Sequence, residues 1–81
     1  MYKVIEAKPN KDHTLDIRFK DGSLRRFDVK PYLEMEVFQE LKSFKYFSTV
    51  KVDYGTVTWP NEQDISPDTL YIESIPLELK K

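Results

Sequence analysis

The stretch His13 to Val29 narrows the possible folds most, because it carries period-two alternation on both sides of one turn signal. His13, Leu15, Ile17 and Phe19 fall on one face of an extended segment, with Thr14, Asp16 and Arg18 on the other. That is the pattern of a half-buried strand. Asp21-Gly22 follows as a hairpin signal, and Ser23 to Val29 returns with Phe27 and Val29 on one face. A two-residue Asp21-Gly22 turn would pair Ile17 with Arg26 and put Phe27 and Val29 on the face opposite Leu15 and Ile17. A three-residue Lys20-Asp21-Gly22 loop pairs Leu15 with Phe27 and His13 with Val29, so both apolar sets share a face while Leu24 points out. A one-residue slip exchanges the faces completely. The apolar pattern therefore predicts the three-residue loop, with Gly22 left-handed at a bulge.

The remaining elements follow from local chemistry. Tyr2 to Ala7 is β-like through Val4 and Ile5, and Pro9-Asn10-Lys11-Asp12 is a break. Pro31 suits the first position of a helical turn at Lys30 to Leu33. Val37, Phe38 and Leu41 mark one face of a short helix, and Ser43 can cap a further turn carrying Phe44 and Phe47. Thr49 to Asp53 alternates again, Tyr54-Gly55 is a turn, and Thr56 to Trp59 resumes the strand. Pro60 ends it, having no N–H to donate, and Asn61 follows as a turn residue. Ser66-Pro67-Asp68 starts a helix, with Ser66 at the N-cap and Leu70 and Tyr71 as its packing residues.

The fold class is α+β: a small antiparallel sheet of two hairpin units, a three-strand meander plus a two-strand hairpin, with short helices in the crossover and near the C-terminal end. Leu33, Phe38, Leu41, Phe44 and Phe47 of the crossover should cover one sheet face. Residues 1–72 read as a single domain and 73–81 as a C-terminal extension, an edge strand or a solvated tail. Ile75, Leu77 and Leu79 alternate there with Pro76, Glu78 and Lys80, and Pro76 requires any such strand to lie at an edge. It would pair with this chain's own sheet or add to another chain.

Composition acts mainly by exclusion. The 81 residues make one small domain, and 40% hydrophobic with 14% aromatic residues is too apolar for disorder. No Cys is present, so disulfides and Cys-ligated zinc or iron–sulfur sites are excluded. No apolar run approaches a membrane span, and a cytoplasmic location is the expectation. The 13 Lys+Arg and 14 Asp+Glu residues are interspersed, so charge does not call for a nucleic-acid partner. Arg18, Lys20, Arg25 and Arg26 flank one turn and read as solvated hairpin charge.

Candidate chemistry is sparse. His13 is the only His; it reads as a half-buried edge histidine, not as a catalyst. Asp64 and Asp68 match no metal loop; one closes a turn and the other favours a helix N-terminus. Gly22 and Gly55 alone cannot make a glycine-rich phosphate loop. No catalytic residue, cofactor or metal is expected. Trp59 with Pro60-Asn61 is either an interface anchor or the largest core residue. The partner-facing set is Trp59, Asn61, Asp64, Ile75, Leu77 and Leu79.

The motifs F-x-D-G-S-x-R-R-F-D-V-x-P-Y-L, V-F-x-x-L-K and W-P-N-x-x-D-I-S-P-D-T-L-Y lie between Phe19 and Tyr71, within a likeness that covers about residues 2 to 72. In these the chain resembles the small bacterial and phage-borne domains grouped as domain-of-unknown-function family 2442. The resemblance implies an α+β fold and no established enzyme activity. Its members are often encoded beside another small protein in toxin–antitoxin-like pairs. Some carry an appended helix-turn-helix, for which the residues after Tyr71 are too few. The expected function is a non-enzymatic protein-interaction module that is antitoxin-like or accessory. It would bind a small protein encoded nearby or a second copy of itself; the alternative is a DNA-binding or regulatory domain acting as a dimer.

Overall fold

A computed structural model describes residues 2–77. The first three strands are β1 (Val4–Pro9), β2 (Thr14–Phe19) and β3 (Leu24–Asp28). The central hairpin takes the three-residue loop: Phe19 N–H donates to Ser23 O at 2.9 Å, Gly22 N–H to Phe19 O at 2.9 Å, and Gly22 has φ +92°. Leu15 then stands opposite Phe27, and Leu15, Ile17, Phe19 and Phe27 all enter the core. β1 begins later than the sequence suggests and runs on to Pro9, which is tolerated because β1 is an edge strand. Tyr2 leaves the strand and stacks on Tyr71 at a centroid distance of 3.9 Å.

The crossover is tighter than an α-helix. Lys30–Tyr32 and Glu36–Lys42 are 3-10 helices, the first with Pro31 at its start. Three residues per turn put Phe38 and Leu41 on one face, and both are buried. Val37 is a third of a turn away and is 61% exposed, so it does not share the face that α-helical spacing assigns to it. Ser43 caps α1 (Phe44–Phe47), its Oγ accepting from Tyr46 N–H at 3.4 Å, and Phe47 is fully buried.

A second sheet holds β4 (Lys51–Asp53), β5 (Thr56–Thr58) and β6 (Asp64–Ile65). Tyr54 and Gly55 have φ +52° and +78°, the two positive angles of a two-residue type I′ hairpin turn. The sequence reading stops this unit at two strands. The third forms because the chain reverses after Pro60 and buries Ile65 opposite Val57. α2 (Pro67–Ile72) is capped by Ser66 Oγ, which accepts from Thr69 N–H at 3.2 Å, and it buries Leu70. β7 (Ile75–Pro76) then pairs antiparallel with β3, giving sheet orders β1-β2-β3-β7 and β4-β5-β6.

One apolar core serves both sheets, from Leu15, Ile17 and Phe27 through Phe47 to Val57, Trp59 and Leu70. The sheets are also tied by Val4 N–H donating to Gly55 O at 2.8 Å. Leu79 lies outside the described residues.

Candidate functional site

The register of the four-stranded sheet fixes what its far face displays, since directly opposed residues in an antiparallel pair share a face. Lys8 opposes Asp16, Asp16 opposes Arg26, and Arg26 opposes Ile75. Glu6 opposes Arg18 and Arg18 opposes Leu24. Leu77 N–H donates to Leu24 O at 2.9 Å and continues the β3–β7 register, placing Leu77 across from Leu24. Two rows therefore cross the face turned away from the core: Lys8–Asp16–Arg26–Ile75 and Glu6–Arg18–Leu24–Leu77.

Charge lies at one end of these rows and apolar surface at the other. Arg26 grips Asp16 through two hydrogen bonds, 2.7 Å to Oδ1 and 3.1 Å to Oδ2. The Arg26 guanidinium holds the Asp16 carboxyl below the usual aspartate range, helped by the Asn10 amide. Arg18 Nε meets Glu6 Oε1 at 3.1 Å. A shallow cavity of about 370 Å³ lies among Glu6, Ala7, Lys8, Asp16, Arg18 and Leu24. At the β3–β7 end, Leu24 and Leu77 are half-buried and Ile75 is 62% exposed. Leu24, which the hairpin register turns outward, thus has an apolar neighbour after all.

Arg25 fixes this corner from the other side. Its Nε donates to Ser74 Oγ at 2.6 Å and its Nη2 to Ser74 O at 2.7 Å, while its guanidinium lies 4.4 Å from the Tyr71 ring centre. Because Leu77 N–H points at β3, Pro76 turns its backbone outward, where it has no N–H to offer. Proline at that position blunts the β7 edge against a further strand. Of the two uses the sequence allows for this segment, the structure has the first, pairing within its own sheet.

The other expected partner-facing residues separate. Trp59 is 2% exposed; its Nε1 donates to Phe47 O at 2.9 Å and its ring stacks near Phe47. Trp59 is therefore a core residue and offers a partner no surface, because a small domain gains most by enclosing its largest side chain. Asn61 is exposed but occupied. Its Nδ2 donates to the Glu40 carboxylate at 2.8 and 3.0 Å, and its N–H donates to Tyr46 Oη at 2.8 Å. Buried Gln63 donates to Glu40 Oε1 at 2.8 Å and accepts from the Tyr46 hydroxyl at 2.6 Å. The two amides, Asn61 first, hold the Glu40 carboxyl below its ordinary value. This network clasps the Trp59–Gln63 loop to the crossover. Asp64 is exposed in β6 opposite Thr58, away from the open face of the larger sheet.

His13 is half-buried with its ring 4.9 Å from that of Phe47, and its Nε2 lies 3.2 Å from Lys42 O. Of the basic residues around the central turn, Arg18 and Arg26 face carboxylates and Arg25 faces Ser74. Among the described residues no three His, Asp or Glu side chains are grouped to hold a metal ion. The sequence reading brings Ile75 and Leu77 into the site but misses Leu24, Arg18 and Arg26. Their signal lay in the predicted register, which already sends Leu24 and both arginines to the far face.

Fold and site together define a two-sheet α+β domain whose larger sheet leaves one face open, charged at one end and apolar at the other. The chain belongs to the family described as protein of unknown function, DUF2442, whose model matches residues 4–76. No curated protein and no solved structure matches it. No helix among the described residues is long and apolar enough to cross a membrane.

Proposed function

We propose that this domain is a non-enzymatic protein-interaction module of the bacterial cytoplasm, an antitoxin-like or accessory partner of a small protein encoded beside it. The contact surface is the open face of the four-stranded sheet. The observation that carries this reading is the apolar group Leu24, Ile75 and Leu77, bordered by the Arg26–Asp16 and Arg18–Glu6 pairs. Protein contacts combine apolar area with adjoining polar and charged groups, and this face offers the two side by side. The β3–β7 pairing and the Arg25–Ser74 bonds hold the surface in shape before binding, so little ordering would be needed on association.

Co-expression with the product of the adjacent gene tests the reading. The wild-type chain should retain that product through purification. Ile75→Glu and Leu24→Glu should each lose it while keeping a wild-type circular dichroism spectrum. Retention unchanged in both variants, or none by the wild type together with sedimentation as a monomer, would contradict the proposal.

A further inference from the structure

Away from the open face, a second surface carries a different kind of chemistry. A cavity of about 430 Å³ is lined by Tyr2, Lys3, Phe19, Lys20 and Asp21, within the size range of small-molecule sites. Its aromatic wall is the end of a stack. The Tyr71 ring has the Arg25 guanidinium 4.4 Å from its centre and the Tyr2 ring parallel to it at 3.9 Å, tilted by 7°. Two groups so close cannot occupy one face of a ring, so the order is Arg25, Tyr71, Tyr2. The Phe19 ring stands steeply across both tyrosines, its centre 4.9 Å from that of Tyr71 and 6.3 Å from that of Tyr2. Tyr2 is half-exposed and lines the cavity, while Tyr71 does not. Tyr2 thus brings to the cavity an aromatic ring backed by Tyr71.

The rim is cationic. Lys20 N–H donates to Lys3 O at 2.8 Å, which brings the two lysines together, and neither has a carboxylate partner among the described residues. The one acid present, Asp21, is engaged: its Oδ1 accepts from Ser23 N–H at 2.9 Å and from Ser23 Oγ at 2.6 Å. The two lysines that line the cavity are therefore without a carboxylate partner among the described residues, and its one acid is taken up by Ser23.

We propose that this cavity binds a planar aromatic anion, its ring stacked on Tyr2 and its phosphate or carboxylate held by Lys3 and Lys20. A nucleoside monophosphate has both parts, free or as a residue of a single strand. Stacking on an aromatic platform beside lysines is sequence-tolerant and salt-sensitive.

Titration with adenosine monophosphate, followed by calorimetry and by amide shifts of Tyr2, Lys3 and Lys20, tests this. The expected dissociation constant is below about 1 mM. Adenosine and inorganic phosphate should each bind at least about fivefold more weakly, since each lacks one of the two contacts. Lys20→Gln and Lys3→Gln should each weaken the nucleotide by up to about fivefold, the worth of an exposed ion pair, and leave adenosine unchanged. Tyr2→Leu should weaken it by about fivefold or more; the lysine variants carry the test if that one fails to fold. An oligodeoxyadenylate that binds more tightly than the mononucleotide assigns the site to a strand, and one that does not assigns it to the free nucleotide. No binding at about 10 mM nucleotide, phosphate binding as tightly as nucleotide, or affinity unmoved by all three substitutions would overturn the proposal.

Discussion

Glu62 holds in the β5–β6 turn the left-handed backbone position that Gly22 holds in the β2–β3 turn, with φ +74° against +92°. The hydrogen bonds repeat as well: Trp59 N–H to Gln63 O at 3.0 Å and Glu62 N–H to Trp59 O at 2.9 Å match the Phe19–Ser23 and Gly22–Phe19 pair. The β1–β2 turn is a third copy, through Asn10 and Thr14, with His13 at φ +65°. Asp12 even accepts from Thr14 N–H and Oγ1 as Asp21 does from Ser23. Three connections thus use one loop form, and only one of them has the glycine that form prefers.

Left-handed backbone costs a non-glycine residue roughly 1–2 kcal/mol, partly offset by glycine's greater freedom when unfolded. Glu62→Gly, at an exposed side chain, should therefore stabilise the domain by about 0.5–1 kcal/mol in urea denaturation. His13→Gly and His13→Ala both remove the ring from Phe47, but only glycine relieves the backbone. The glycine variant should be the more stable of the two by about 1 kcal/mol. Equal stabilities would show that the angle at residue 13 carries no strain.

Gly55 gives the converse case. A Cβ there would meet only Lys3 side-chain carbons, at 3.5 Å and beyond, which is ordinary contact, so the cost of a side chain lies in φ alone. Gly55→Ala should destabilise by about 1 kcal/mol, and Gly55→Asn by less, because Asn tolerates this region. Asn and Ala costing the same would point to crowding instead.

The Tyr46 hydroxyl and the Glu40 carboxylate share the clasp on the Trp59 loop. Tyr46→Phe removes the donor to buried Gln63 Oε1 and the acceptor for Asn61 N–H. The expected loss is about 1–3 kcal/mol, the cost of leaving a buried polar atom unpaired. Amide exchange should quicken at Asn61 and Gln63 before it does in the central hairpin. Uniform acceleration across the sheet would mean the loop has no separate opening.

At high pH the Tyr32–Glu73 contact should set a limit. The Tyr32 hydroxyl donates to Glu73 Oε1, and that bond, aided by burial and the carboxylate charge, pushes the phenol up to about 12 from its ordinary 10.0. A folded-state pKa above the unfolded one stabilises the protein below pH 10, and the gain is lost as pH rises from 10 towards 12. One tyrosine should titrate late in tyrosinate absorbance, and Tyr32→Phe should abolish that late step. Glu73→Gln should return it towards its ordinary value. A late step that survives in Tyr32→Phe would assign it to another tyrosine.

The parts legible in sequence are those where a residue type has few alternatives. Asp21-Gly22, Tyr54-Gly55 and Ser66-Pro67-Asp68 each announce their geometry, and the alternation around Leu15 and Phe27 fixes the register. The turns at His13 and Glu62 were hidden because nothing in those side chains demands a left-handed backbone; hydrogen bonds within the loops impose it. β6 leaves no mark in the sequence because two residues carry no period, and Val37 departs from its expected face because 3-10 and α spacing diverge within one turn. The open face was half legible: period two puts Ile75 and Leu77 together, but only the pairing of β7 with β3 brings Leu24 to them.

The most direct test of the interaction account is methyl NMR of the complex between this chain and the product of the adjacent gene. The account predicts that the Leu24, Ile75 and Leu77 methyl signals shift or broaden on binding, while those around Tyr54, at the exposed tip of the β4–β5 hairpin, stay in place. Changes confined to the Tyr54 hairpin, with Leu24 and Ile75 unmoved, would contradict it.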